Sequence, residues 1–285
     1  CYPDFFLFYF FYNFLVCLCC EKRLLILNLK YMKKIKILIF CSITIFFFSC
    51  EKNQNDNEVI DCNHYHWGYD GDSSPDTWST CYSDCDGQSQ SPINIEGAIV
   101  DTSLSALNTN YQDVPIELNY NGHTIDFLYE AGSSLDLNGV DYNLIQFHFH
   151  THSEHSINNN FSPLEIHLVH KDPITENLAV ISVLFDEGSE NEFLSKFIDN
   201  LPDTMDIPFN SSELVNVSDI FPENNGYYSY SGSLTTPPCS ENVSWFVMKS
   251  TMEASVSQIT KLQDKIKDNF RPVKSLNGRE IKFFN

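Results

Sequence analysis

The chain has 285 residues, with 17 Lys and Arg against 38 Asp and Glu, for a formal net charge of −21 at pH 7. Such acidity argues against a nucleic-acid partner and against electrostatic attraction to an anionic lipid surface, and it favours solubility. The length suits one large domain, and no internal repeat divides it.

The first 50 residues differ in kind from the rest. Residues 1–31 precede Met32 and are crowded with Phe, Tyr, Leu and Cys. We read them as upstream sequence translated in frame; the alternative is a hydrophobic segment at 5–20 set in a membrane. Residues 32–36 (MKKIK) carry positive charge, and residues 37–48 form an apolar run of twelve that Ser49-Cys50 closes. Twelve residues are too few for an ordinary membrane span of about 20. Residues 32–49 therefore resemble a bacterial lipoprotein signal, with Cys50 becoming the lipidated first residue. An uncleaved anchor or an ordinary signal peptide remains the alternative. On the first reading the protein is exported, periplasmic or on the surface of a bacterium, and touches membrane only through its lipid; the alternative localisation is secreted and soluble. Residues 50–61 read as a flexible tether and 62–285 as the folded domain. From Cys50 onward 11 Lys and Arg stand against 36 Asp and Glu, a net −25.

Within that domain, short alternating apolar runs at 116–120, 125–129, 144–150 and 178–185 are separated by turn residues, as strands are. Helices are predicted over 192–201 and 255–269. The third run contains the most telling pattern of the chain, Gln146-Phe147-His148-Phe149-His150. Alternation on a strand sends His148 and His150 to one face and both phenylalanines to the other. Glu165-Ile166-His167 would add a third imidazole from a neighbouring strand. Three histidines with a fourth position left open describe a catalytic zinc site rather than a structural one. The bland alternative is a pair of strand histidines with no metal. Gln146 and Glu165 weigh against it: each stands two residues before a histidine, on the same face, where it could take the hydrogen of a non-ligating ring nitrogen. Further on, the prolines of Ser233-Leu234-Thr235-Thr236-Pro237-Pro238 stiffen a loop. A hydroxyl held there could orient a metal-bound hydroxide if Glu154 accepted its proton. Taken alone, that loop reads as a rigid surface turn.

At this point the chain resembles the α-class carbonic anhydrases. The matching stretches run in order: HWGYD at 66–70, QSPINI at 90–95, NGH at 121–123, QFHFH at 146–150, SEH at 153–155 and EIHLVH at 165–170. LAV at 178–180, GSLTTPP at 232–238, Trp245 and NFRP at 269–272 follow. The resemblance implies a mainly β, α+β fold: a single domain around a large central, mostly antiparallel twisted sheet of about ten strands, with short peripheral helices. It implies zinc on His148, His150 and His167, supported from behind by Gln146, Glu165 and Asn269. It implies a Thr235–Glu154 pair over the reacting hydroxide. An apolar pocket for carbon dioxide would be formed by Val169, Val180, Leu234 and Trp245, with Thr236 beside it. His123 stands at the proton-shuttle position, with Tyr69, Asn121 and Asp126 ordering the water chain. Asp126 replaces an amide common in mammalian members. His152 extends the alternation of 148 and 150, yet the family takes its third ligand from the adjacent strand, so His152 is a bystander. His155 and His170 read as buried structural residues.

The implied reaction is the zinc-dependent, reversible hydration of carbon dioxide to bicarbonate and a proton, by attack of zinc-bound hydroxide with histidine-assisted proton transfer. A metal-free recognition module would require loss of a ligand histidine, and none is lost. Ester hydrolysis by the same hydroxide is a third reading with no substrate feature of its own. The implied assembly is a monomer or a homodimer. Exported members commonly join a cysteine just before QSP to one just after TTPP, here Cys85 and Cys239, which leaves Cys62 for Cys81. In a cytosolic protein all four would be free thiols.

Overall fold

The computed structural model describes residues 60–129, 131–205 and 207–285. The expectations for residues 1–49, for Cys50 and for most of the tether fall outside the described residues. In chain order the strands are β1 (Asn94–Ile95), β2 (Ile99–Val100), β3 (Asn108–Asn110), β4 (Val114–Tyr120), β5 (Ile125–Leu128) and β6 (Ser134–Leu137). They continue with β7 (Val140–His150), β8 (Ser156–Ile157), β9 (Leu164–Lys171), β10 (Leu178–Glu187) and β11 (Phe209–Val215). The last four are β12 (Tyr227–Gly232), β13 (Val243–Met248), β14 (Met252–Ala254) and β15 (Lys282–Phe284). The four alternating runs of the sequence lie on β4, β5, β7 and β10.

Ten strands form one continuous path in the order β11, β4, β5, β7, β9, β10, β13, β12, β15, β2, and β3, β6 and β14 pair at its flanks. Every neighbouring pair along the path is antiparallel except β10–β13 and β15–β2. The sheet is therefore mostly antiparallel, as expected. Among the described residues no helix is long and apolar enough to cross a membrane.

Alternation decides which face each strand buries. Ile116, Leu118, Ile125, Phe127, Phe147, Phe149, Ile166 and Leu168 all enter one core cluster and are at most 1 % exposed. Burying one such side chain contributes roughly 1.5–3 kcal/mol. The opposite faces of β7 and β9 are thereby left to Gln146, His148, Glu165 and His167. A shift in the β7–β9 register between Leu144 and Gln146 turns Ile145 outward. This bulge lets Leu144 and Phe147, three residues apart, both reach the core.

Both expected helices are shorter than the sequence suggests. α1 (Glu192–Ser195) is capped by the Asn191 side chain, which accepts from the Leu194 N–H. It stops after one turn; Ile198–Asn200 form a 3-10 turn, and Leu201 is extended. Pro202 follows, and a proline disfavours helical backbone in the residue before it. α2 (Val256–Ile266) begins with a capping box between Ser255 and Gln258. It ends three residues early because Lys267 takes φ 59°. The extended chain beyond it delivers the backbone of Asn269 and Arg271 to the cleft.

Candidate metal centre

Antiparallel pairing of β7 with β9 sets His148 opposite His167 and His150 opposite Glu165. The imidazole centroids are 5.0 Å (148–150), 5.3 Å (148–167) and 4.6 Å (150–167) apart. One ring nitrogen from each of the three lies within 4.8 Å of those of the other two.

Each ring spends its other nitrogen on an oxygen acceptor. His148 Nδ1 donates to Gln146 Oε1 at 2.9 Å. His150 Nδ1 donates to the backbone oxygen of Asn269 at 2.7 Å. His167 Nε2 donates to Glu165 Oε1 at 2.7 Å. Because these acceptors carry no hydrogen to give, the bonds assign the tautomers. They leave His148 Nε2, His150 Nε2 and His167 Nδ1 as bare lone pairs facing one another. His150 Nε2 is buried with no hydrogen-bond partner. Three converging acceptors cannot satisfy each other, but they suit a divalent cation that prefers imidazole and keeps a fourth position open. Burial pushes the pKa of His148 well below the ordinary imidazole value, with repulsion from His150 and His167 adding to it. Burial likewise takes His150 down to about 4 and lowers His167. The neutral rings this favours are the ligating form.

Glu165 is the hub behind the cluster. Its Oε1 accepts from His167, from His155 Nδ1 at 2.7 Å and from the Ser182 hydroxyl at 2.6 Å. Its Oε2 accepts the N–H groups of Glu154 and His155 at 2.7 and 2.8 Å. Burial alone would raise its pKa; His155 and His167 outweigh burial and hold it well below the usual carboxylate range. His155 Nε2 in turn meets the Tyr230 hydroxyl at 2.7 Å, and Tyr230 meets Ser91 Oγ at 2.9 Å.

Glu154 is fully buried. Its Oε1 accepts the Arg271 N–H at 2.8 Å. Its Oε2 has no hydrogen-bond partner and stands 3.5 Å from His150 Nε2 and 3.9 Å from His167 Nδ1. Burial pushes its pKa up to about 7, against the charge of His167 and the hydrogens of Thr235 and Arg271. Thr235 is beside Glu154, and its hydroxyl is among the groups that lower the Glu154 pKa.

Four of the residues expected around the substrate meet in one apolar cluster. Val180 and Trp245 are 2 % exposed, and Val169 and Leu234 pack against the same cluster, half-buried. Trp245 lies 4.8 Å, ring to ring, from His167. Thr236, also half-buried, follows Thr235 in the loop. That loop is tied down on both sides: Cys239 is bonded to Cys85, and Trp245 Nε1 donates to Ser233 O at 3.0 Å. Cys62 is bonded to Cys81.

At the mouth, Asn121 Oδ1 accepts the N–H groups of His123 and Thr124 at 2.9 Å, while its Nδ2 donates to Asp126 Oδ2 at 2.6 Å. The His123 ring is stacked on Trp67, 3.8 Å between centroids, with Tyr69 edge-on at 6.3 Å. Burial lowers the His123 pKa and raises that of Asp126 to about 6. Asn269 Nδ2 donates to His123 O at 3.1 Å, so one asparagine touches both mouth and floor. His152 stays out of the cluster, between the rings of Phe161 and Phe270 at 4.5 and 4.6 Å. His170 is held by the Tyr111 hydroxyl and Ala179 O.

Sequence reasoning gave no role to Trp67, Ser182, Tyr230 or Arg271. Arg271 is fully buried and donates to Gln90 Oε1, Ser91 O and Cys85 O at 2.8–2.9 Å. Trp67 and Arg271 sit inside the HWGYD and NFRP stretches, which were the available signal; nothing local marks Ser182 or Tyr230.

A family model described as eukaryotic-type carbonic anhydrase matches residues 73–285. The carbonic anhydrase of Klebsiella pneumoniae is 38 % identical over 223 residues, covering 76 % of this chain and 90 % of that protein. A solved α-carbonic anhydrase of Thermovibrio ammonificans, in complex with the inhibitor sulfanilamide, is 37 % identical at a TM-score of 0.73, covering 76 % of this chain and 99 % of that one. A solved hyperthermostable carbonic anhydrase identified from an active hydrothermal vent chimney is 40 % identical at a TM-score of 0.74, covering 77 % and 100 %.

Proposed function

Since the chain belongs to the eukaryotic-type, α-class carbonic anhydrases, and so is an enzyme of carbon dioxide hydration, we propose that it works with zinc held by His148 Nε2, His150 Nε2 and His167 Nδ1. The observation that supports this best is the set of three bare nitrogens, each fixed by a hydrogen bond from the far side of its ring. When bound, zinc supplies Lewis acidity: it lowers the pKa of a coordinated water to about 7, carbonic anhydrase being the standard example.

The chain's own groups do the rest. Gln146, the Asn269 carbonyl and Glu165 keep the imidazoles in the ligating tautomer. The Thr235 hydroxyl, with the Glu154 carboxylate beside it to accept its hydrogen, presents a lone pair to the nucleophile and orients it. Val169, Val180, Leu234 and Trp245 offer carbon dioxide an apolar surface and exclude competing water. His123 takes the product proton, with Tyr69, Asn121 and Asp126 ordering the waters between. An imidazole suits that relay because its ordinary pKa, about 6.5, lets it both accept and release near neutrality. Metal analysis with a carbon dioxide hydration assay tests the assignment. About one zinc per chain is expected, with activity lost to a chelator and restored by zinc. Undiminished hydration after exhaustive chelation would refute it.

We also propose export and attachment through a lipid on Cys50, starting from Met32. Two disulfides in the domain support an oxidising compartment. Cys50→Ala should abolish lipid labelling in a bacterial host; a labelled variant would refute the anchor.

A further inference from the structure

Residues 62–82 contain no strand and no α-helix, only 3-10 turns at Gly71–Ser73 and Trp78–Thr80. Small devices hold them. Trp78 Nε1 donates to Gly68 O and Ser73 O at 2.9 and 2.8 Å, and the Thr77 hydroxyl meets Asp72 O and Ser74 O at 2.9 Å. These bonds fix the stretch from 68 onward. The preceding residues, 62–67, are tied by a contact of 2.9 Å between the Tyr65 hydroxyl and Thr77 Oγ1 and by the Cys62–Cys81 disulfide, which closes the loop. Cys62 lies before the region that the family model matches.

Tyr65 also packs on Tyr82, 6.2 Å between ring centroids, and Trp67, the last residue of that part, packs against the cluster of Trp78, Cys85 and Cys239. The Trp67 ring lies 12° from parallel with the His123 imidazole, at 3.8 Å, and meets Trp78 edge-on at 5.5 Å. The His123 backbone is fixed by Asn121 and Asn269, but its ring has a free χ1 unless something blocks the alternatives. A stacked indole removes the rotamers that swing the ring away, yet leaves both nitrogens at the ring edge free to exchange protons.

We propose that the Cys62–Cys81 disulfide is a positioning element for proton transfer: by closing the 62–81 loop it keeps Trp67 against His123 and the imidazole at the cleft mouth. The proposal rests on the shuttle reading of His123. Cys62 and Cys81 touch neither the metal ligands nor the apolar wall. Tyr69 is edge-on to the ring, and Asp126 is bonded to the Asn121 side chain that holds the His123 N–H.

The test is the Cys62→Ser/Cys81→Ser double variant of the full, zinc-loaded enzyme, with Cys85–Cys239 intact. In dilute, bulky buffer kcat for hydration should fall about 3- to 10-fold, part of the loss expected for a missing proton relay. kcat/KM and zinc content should hold, and added imidazole should restore kcat. The His123 ring, followed by NMR, should titrate closer to the ordinary imidazole value than in the parent, because the stack that keeps water from it has loosened. Trp67→Leu, with the disulfide intact, should give the same pattern, and it decides the matter if the double variant does not fold. Full kcat in either folded variant, an unmoved His123 titration, or equal losses in kcat and kcat/KM would overturn the proposal. Unchanged kcat in His123→Ala would instead remove the shuttle reading beneath it.

Discussion

His148 and His167 face each other across two hydrogen-bonded strands, whereas His123 stands on the turn begun by Asn121 and Gly122. The floor of the cleft is placed by sheet register, with phenylalanines and leucines locking the opposite face. Slipping β7 by one residue would turn its histidines into the core and its phenylalanines into the cleft. The mouth is placed by two asparagine side chains and one aromatic stack. On the proposed reading, the geometry of the metal ligands is fixed as firmly as the fold itself, while proton exit depends on a few contacts that can be altered separately. Binding of metal and export of protons should accordingly respond to different substitutions.

The sharpest contrast is between a histidine inside the cluster and one outside it. His167→Ala should lose tight zinc binding and reduce hydration to background, whereas His152→Ala should keep both. Metal analysis of the two proteins checks this, and zinc retained only by the His167 variant would reverse the assignment. Next in size is the hub of the floor. Glu165→Ala strands His155, His167, Ser182 and two backbone N–H groups, and should destabilise the fold by roughly 3 kcal/mol in denaturant titration. An unchanged unfolding midpoint would show that the network can be relieved by water.

At the mouth, His123→Ala should lower kcat about 10-fold or more in dilute bulky buffer and leave kcat/KM and zinc content alone. Steady-state kinetics separate this from a floor defect, which would lower both parameters. The smallest effect concerns Asp126. Burial raises its carboxyl to about 6 in the fold, against about 4 in an unfolded chain. As pH rises through that interval the unfolded chain gives up a proton that the folded one retains, so the folded state loses stability. Asp126→Asn can still accept from Asn121, should flatten that slope, and should gain about 1 kcal/mol at pH 7. Thermal melts at pH 4 and pH 7 measure it; equal shifts at both would dismiss the buried carboxyl as the cause.

Much of the floor was legible in the chain. Period-two alternation announces His148 and His150, and the i−2 partners Gln146 and Glu165 lie within the same strands. The acceptor for His150 lies 119 residues away, on the segment after α2, and no local pattern predicts such a pairing. The NFRP stretch reached it only through family likeness, as did the Cys85–Cys239 link. The bulge at Ile145 was also hidden, because an irregular residue inside an alternating run looks like any other outward position. The overlong helix at 192–201 shows the opposite error: its apolar spacing is real, but Pro202 constrains the residues that would have continued it. Trp67 was in view within HWGYD, and its partner was recognisable only once the chain had brought residue 123 beside residue 67.

The place of β15 in the sheet carries a consequence for synthesis. β15 is the last strand of the chain among the described residues, yet it lies inside the strand order, between β12 and β2. On the path, β2 is bonded to the sheet through β15 alone. A ribosome must therefore deliver β15 before the early strand β2 has anything to pair with. Until then, Ile99 and Val100 have no strand to pair with. A stop codon at position 282 would cost the sheet two strands, one from each end of the translated domain.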